Sequence, residues 1–570
     1  MSWASKKSAA ANKKSSAKSA AKAAKRRDTL AGGVKAGGAA GRLYQPLRKH
    51  REMTLREPVW SGLAVLSRES IPAWLVSAKV VYRDRLYPPW ITLWIVLWQV
   101  LGPDGSCQCA LASWLAARGF QGLASCSSES GSYCDARKRL PLELVRQLVS
   151  RTGQEVRQGA GSAGLFHGRP KKVVDGSTAS MPDTPENAEY FHKPGNQTST
   201  PQFPVLRMVV VFCLATGAAL DLALGPYRGQ ETGEISLFRT LRRAFEKFDI
   251  IVGDRIFGTY CDIAPLLTQG VDGVYRLHAK RHADFRKGKR LGKDDHLVEW
   301  SRPVKRPDGL TLDEWALIPL TLTLREIRVR IKTPGCRVKS LVIVTTLIDP
   351  IEYPAHEIAQ LDRDRWHSEL DLRSIKCALH MDVLRCKTPA LIEKEVAIHF
   401  VAYNLIRHLM STAAQTPDTT VRELSFTSTR NLAQAFHPLL LACPEDRLED
   451  LVNRLLKAIS EHPTGKRPNR YEPRQRRRQA KPAPPENHPP TSPQSLQITK
   501  QDRLTECHSA LACASLMITL PRGLKPTLQG LLSDIPSIDY ALARRDGWIS
   551  DTGMSATCFA NSANSAASCS

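Results

Sequence analysis

Between residues 170 and 260, runs of β-forming residues surround one amphipathic stretch, and their order constrains the fold more than any other feature. "KKVVDGSTAS" carries Val173 and Val174 into Asp175 and Gly176, so it reads as a strand that stops at an acid. "VLRMVVVFCLATGAALDLALGPYRG" follows as two β-rich runs with a turn at Thr216-Gly217. "GEISLFRTLRRAFEKF" has the spacing of an amphipathic helix, and "DIIVGDRIFGTY" is a further apolar strand that ends on an acid, Asp254. Strand, strand, strand, helix, strand predicts a mixed sheet flanked by helices, an α/β fold.

The rest of the chain divides around this block. Its 570 residues leave room for roughly two to four domains and a large core. Residues 1–57 are mostly Ala, Lys, Ser and Gly, too poor in large apolar side chains to build a core, and read as a disordered basic tail. Residues 58–165 have a helical pattern. Within them "PPWITLWIVLWQVL" (88–101) is too short to span a bilayer comfortably and reads as a buried helix. The sheet block, 166–270, reads as the first part of a core. Residues 271–349, with "GVYRLHAKRH", "LTLTLREIRVRIK" and "SLVIVTTLID", read as an inserted β-rich subdomain with a basic face. Residues 350–463 return to helical spacing as the second part of the core. From 464 to 570 a basic, Pro-rich linker ("TGKRPNRYEPRQRRRQAKPAPPENHPP") leads into a C-terminal extension.

Charge narrows the partner. Against 55 Asp plus Glu stand 81 Lys plus Arg, a formal net charge of +26. Such an excess points to a polyanion, most often nucleic acid. The 14 cysteines do not read as zinc ligands. Cys107 and Cys109 are separated by one residue, and Cys126 and Cys134 follow without a second close pair or a flanking His, so they read as ordinary reduced thiols. No apolar segment opens the chain, which is expected to be soluble and cytoplasmic, with no membrane partner.

The chemistry gathers at three acids. In "DRDRWHSELDLRSIK", residues 362–376, Asp362, Arg365, Glu369 and Lys376 stand at steps of three, four and seven, which would align them on one stripe of a helix. That stripe is either a solvated face with ion pairs or a functional one. Asp175 and Asp254 at strand ends, with Glu369 from a helix packed on the sheet, would form an oxygen-rich pocket suited to Mg²⁺ or Mn²⁺. Two such ions can activate a nucleophile and stabilise a leaving oxygen in phosphodiester cleavage. The plainer alternative is that each acid closes a turn, as Asp-Gly commonly does.

Three blocks, "VVDGSTASMPDTPENAEYF", "IIVGDRIFGTY" and "RWHSELDLRSIK", resemble in order and spacing the signatures of DDE transposases of bacterial insertion sequences. The resemblance is to the IS-four family, whose third acid lies in a Tyr-x2-Arg-x3-Glu-x6-Lys signature. Arg365, Glu369 and Lys376 match it, and Asp362 stands where the family has Tyr. It runs from about residue 60 to 480, including "SYCDARKRLP" upstream and "RPNRYEPRQRRR" downstream. It implies an RNase H-like catalytic core interrupted by the β-rich insertion, preceded by a helical DNA-binding region. Asp175, Asp254 and Glu369 would bind Mg²⁺ or Mn²⁺, nick the element's ends, and join the freed 3′-OH to target DNA. A homodimer in the end complex, associated with the nucleoid, is implied too. Arg365 and Lys376 would contact phosphates near the cut, helped by Arg255. Trp300 or Trp315 would stack on a flipped base. The tail at 1–55 and the Arg cluster at 474–478 would add salt-sensitive DNA affinity. The family's Tyr hydroxyl is linked to holding a DNA phosphate. Asp362 in its place, together with the unusual tails, keeps open the alternative of a transposase-derived DNA-binding protein with impaired catalysis; a further alternative is a metal-dependent nuclease that does not join.

Overall fold

Val173 and Val174 lie on an interior strand of a sheet that is mixed, as the strand order predicts. In this computed structural model the described residues are 63–464, apart from 68, 83–85, 103, 121, 124–125, 160, 196–201, 332–339 and 415–419. The tail at 1–57, the Arg cluster at 474–478 and the C-terminal extension lie outside them. Strand β1 (Lys171–Ser180) pairs antiparallel with β2 (Val205–Cys213) and parallel with β4 (Ile250–Gly253). Beyond β2 lies β3 (Ala219–Pro226), reached through a turn in which Gly217 has φ +80°, the left-handed region that favours glycine. Parallel to β4 runs β5 (Asp272–Arg276).

One expectation is corrected here: β1 does not stop at Asp175. Its ladder to β2 continues as far as Ser180 opposite Val205, and only the parallel ladder to β4 ends before Asp175. Residues 271–349, read as a β-rich insertion, are continuous with this sheet. Their strands β5, β6 (Lys289–Gly292), β7 (Asp295–Ser301), β8 (Thr321–Arg330) and β9 (Ser340–Thr345) join the same nine-stranded sheet, in the order β3-β2-β1-β4-β5-β9-β8-β7-β6. The expected boundary at 271 therefore falls just before a strand that pairs with β4. Buried Arg325 fastens the extension: its Nη2 meets Asp295 Oδ2 at 2.6 Å, and its Nη1 donates to the Tyr353 carbonyl at 2.7 Å.

Helices cover the sheet. Pro89–Leu101 is apolar nearly all round and buried along most of its length, as expected of "PPWITLWIVLWQVL". Among the described residues no helix is long and apolar enough to cross a membrane. The long helix Pro389–Ala413 has Pro at its first turn and no further Pro or Gly within it. It packs against Leu142–Gly159 and β3. Asn404, fully buried, ties the three together. Its Nδ2 reaches the carbonyls of Val149 and Ala219 at 3.1 and 2.9 Å, and its Oδ1 accepts from the Ala219 N–H at 2.8 Å. The approach is close enough that a Cβ on Gly153 would lie 2.0 Å from the Ala219 carbonyl oxygen. Asn404→Leu leaves buried backbone groups of Ala219 without partners, and is expected to cost about 3 kcal/mol in urea unfolding. An unchanged unfolding midpoint would mean this clamp does not hold the layers.

Candidate active site

The parallel register places two acids side by side. The last β1–β4 partners are Val174 and Gly253, and the next residue on each strand is an acid, Asp175 and Asp254. Neighbouring strands run about 4.8 Å apart, so this register sets the carboxylates beside each other at the end of the parallel ladder. Val173, Val174, Ile251 and Val252 are fully buried behind them and hold the alignment.

The third acid arrives on the helix Trp366–Arg373, which packs on β1. The Ser368 hydroxyl donates to Asp175 Oδ2 at 2.7 Å, and the Gly176 N–H to Oδ1 at 2.9 Å. Glu369 is the next residue. Burial pushes the Asp175 carboxyl above its ordinary range, against the Ser368 bond and the Arg365 charge, and Asp254 adds to the rise. Burial also raises Glu369, opposed by Arg365 and Arg276, with Asp175 and Asp254 both adding. Each of these two acids therefore feels its neighbours' negative charge. Among the described residues no three His, Cys, Asp or Glu side chains are drawn together tightly enough to hold one ion. In donor type the three acids fit a hard divalent cation: all are carboxylates and repel one another, and the Glu369 side chain is 42% exposed.

The single stripe expected over 362–376 is not what forms. One helix spans Ala355–Asp364, a second Trp366–Arg373, and a π-helical turn Ser374–Ala378 follows. The wider π turn takes Lys376 out of the two-turn register with Glu369. Asp362 is 3% exposed. It accepts from Arg276 at the end of β5, from Nε at 3.0 Å on Oδ1 and from Nη2 at 3.1 Å on Oδ2. Asp362 is thus an internal strut between helix and sheet, not a carboxylate facing DNA. Arg365 is 7% exposed, with Nη2 3.6 Å from Glu369 Oε1, and its buried Nε has no hydrogen-bond partner. Lys376 is half-buried, and Arg255 is exposed beside Asp254.

Ser368 and Arg276 are site residues that sequence reasoning missed. A serine before an acid carries no signal. Arg276 carries a weak one, a cation closing a strand beside a strand that ends in an acid. The tryptophans expected to stack on DNA are both covered on one face. Trp300 is buried, donates from Nε1 to Glu326 Oε1 at 3.1 Å, and has Arg281 3.8 Å from its ring centroid. Trp315 is half-buried with Arg302 at 4.6 Å.

A domain that sets carboxylates from two adjacent strands and a sheet-packed helix in this chain order has a counterpart among known proteins. Residues 167–405 match the family model of the transposase DDE domain, a span that contains Asp175, Asp254 and Glu369. The chain is also 27% identical over 286 residues to the transposase InsG for insertion sequence element IS4 of Escherichia coli (strain K12). By both matches the chain is similar to DDE transposases, the transposase of insertion sequence element IS4 among them. The alignment with InsG covers 49% of this chain and 61% of that protein, so the chain spans about three fifths of its relative's length. A solved piggyBac transposase synaptic complex with hairpin DNA aligns at a TM-score of 0.36 and 10% identity, covering 71% of this chain and 86% of that one. That likeness is too slight to bear on the fold.

Asp362→Tyr should destabilise the protein, because it leaves Arg276 without its partner and forces a ring into a filled space. A loss of about 2–4 kcal/mol in chemical unfolding is expected. A variant as stable as the parent would contradict the strut.

Proposed function

We propose that the chain is a transposase that binds the terminal inverted repeats of its insertion sequence, cleaves the DNA ends with a divalent metal, and joins the 3′-OH to target DNA. The observation that carries this reading is the register that seats Asp175 beside Asp254, with Glu369 on a helix pinned to the same strand by Ser368. The order β3-β2-β1-β4-β5, antiparallel on one side and parallel on the other, supports reading this part as an RNase H-like core. Strands β6–β9 are then the β-rich insertion, grown onto the edge of that core.

Asp175, Asp254 and Glu369 would hold Mg²⁺ or Mn²⁺. When bound, the metal activates the attacking oxygen and stabilises the leaving one. The chain's own residues shape the site. Ser368 holds one oxygen of Asp175 in place, leaving the other carboxylate lone pairs for a cation. Arg365, buried against Glu369, offsets part of the negative charge and restrains the side chain that must close. Lys376 and exposed Arg255 are the cations assigned to phosphates of the bound end, an ammonium point charge and a guanidinium fork. The basic balance of the chain supplies the sequence-independent attraction to DNA. Cleavage takes place in a homodimeric end complex on nucleoid DNA. Asp362 lies inside an ion pair, so the reading of impaired catalysis loses one of its two motivations, the other being the unusual tails.

The test uses the full chain, Mg²⁺ or Mn²⁺, and labelled duplexes carrying the inverted repeats that flank its gene, scored for binding, nicking and joined product. Asp175→Asn, Asp254→Asn and Glu369→Gln should each lower nicking by about a thousandfold or more, because groups acting as a unit fail together. DNA binding should stay within a few-fold of the parent, roughly the scale of a lost peripheral contact. A Glu369→Gln protein that nicks at a near-normal rate would remove the third acid from the site. Nicking without joined product would favour the nuclease reading.

A further inference from the structure

Gly176 follows Asp175, and the pair reads in sequence as an Asp-Gly turn. In the fold it is no turn. Gly176 lies within β1 opposite Val209 and does not have a positive φ, so the backbone there does not call for glycine. Space does. A Cβ on Gly176 would lie 2.7 Å from the carboxylate carbon of Glu234 and 2.8 and 3.0 Å from its oxygens. The Glu234 carboxylate therefore rests against the strand one residue past Asp175.

Glu234 opens the short helix Glu234–Thr240, which follows β3 and packs on β2 and β3 through buried Leu237 and Phe238. The side chain is half-buried. Burial raises its carboxyl, Arg207 opposes as a charge rather than as a hydrogen-bond donor, and Asp175 and Asp254 both add to the rise. The Arg207 guanidinium is itself engaged, its Nη1 donating to the Thr232 carbonyl at 2.8 Å. A purely structural glutamate would be expected to close on Arg207. This one instead lies against the strand that bears the first acid, in a space kept open by a glycine.

We propose that Glu234 is a fourth carboxylate of the metal site, contributing an oxygen, directly or through a water, to the ion held by Asp175 and Asp254. This rests on the metal-site reading above, and the experiment separates the two. Mn²⁺ binding to the full chain is measured by calorimetry without DNA, for the parent, Glu234→Gln, Gly176→Ala and Asp175→Asn, each checked by thermal melting. Glu234→Gln is expected to weaken Mn²⁺ binding by about tenfold. Gly176→Ala should do the same with Glu234 still present, because its Cβ displaces a flexible carboxylate rather than backbone. If Glu234→Gln melts early, Gly176→Ala decides. Parent-like Mn²⁺ affinity in both, with binding lost in Asp175→Asn, overturns the role of Glu234 and leaves the metal site standing. Parent-like affinity in Asp175→Asn overturns the metal-site reading, and the proposal with it.

Discussion

Everything at the site depends on the alignment of two parallel strands. Sliding β4 by one residue along β1 would turn Asp254 to the other face of the sheet, because side chains alternate along a strand. The alignment is held from both ends. Behind the acids, the valines and isoleucines of β1 and β4 are fully buried. At the start of the ladder, Lys172 Nζ lies 2.6 Å from Asp249 Oδ2, both side chains almost inaccessible to water. Lys172 also donates to the Ala244 carbonyl at 2.7 Å, and Asp249 accepts from the Glu246 N–H at 2.7 Å. Breaking such a pair strands a charge in the interior, at a cost of about 3–5 kcal/mol. A slipped register would do that, so the pair makes the observed one the only inexpensive choice.

The third acid needs a different device, since a helix can rotate over a sheet. Asp371, fully buried two residues beyond Glu369, binds Arg422 at 2.8 Å through each carboxylate oxygen and also pairs with Arg407 of the long helix. Ser368 grips Asp175 on the strand, and Asp362 grips Arg276 one helix earlier. With these side chains fixed, the intervening residue has little rotational choice, and Glu369 is left at the exposed mouth of the site. Of the charges in 362–376 that could have been a solvated face, Asp362, Arg365 and Asp371 are internal fastenings, while Arg363, Glu369 and Arg373 are exposed.

The strands, their order and the acids were legible because they are local. Runs of Val and Ile announce strands by themselves, and an acid after such a run is visible without knowing its partner. What escaped was set by distant segments. Asp175 looked terminal because its parallel partner ends there, while the antiparallel partner that carries β1 onward begins thirty residues later with Val205. The 271–349 segment looked separate because nothing local reveals that β9 returns to β5. Asp362 looked like a departure facing DNA because Arg276, which buries it, lies on a strand far back in the chain. Glu234 carried only the mark of an acid in a helix's first turn, a common and unremarked placement.

The central claim is that the β1–β4 register and the pinned helix build one divalent-metal site from Asp175, Asp254 and Glu369. Anomalous diffraction from crystals of the protein loaded with Mn²⁺ tests it most directly. The account predicts a Mn²⁺ peak between Asp175 and Asp254, with the Glu369 carboxylate turned in to meet it. A Mn²⁺ peak away from these two strands, with Asp175 and Asp254 left bare, would contradict it.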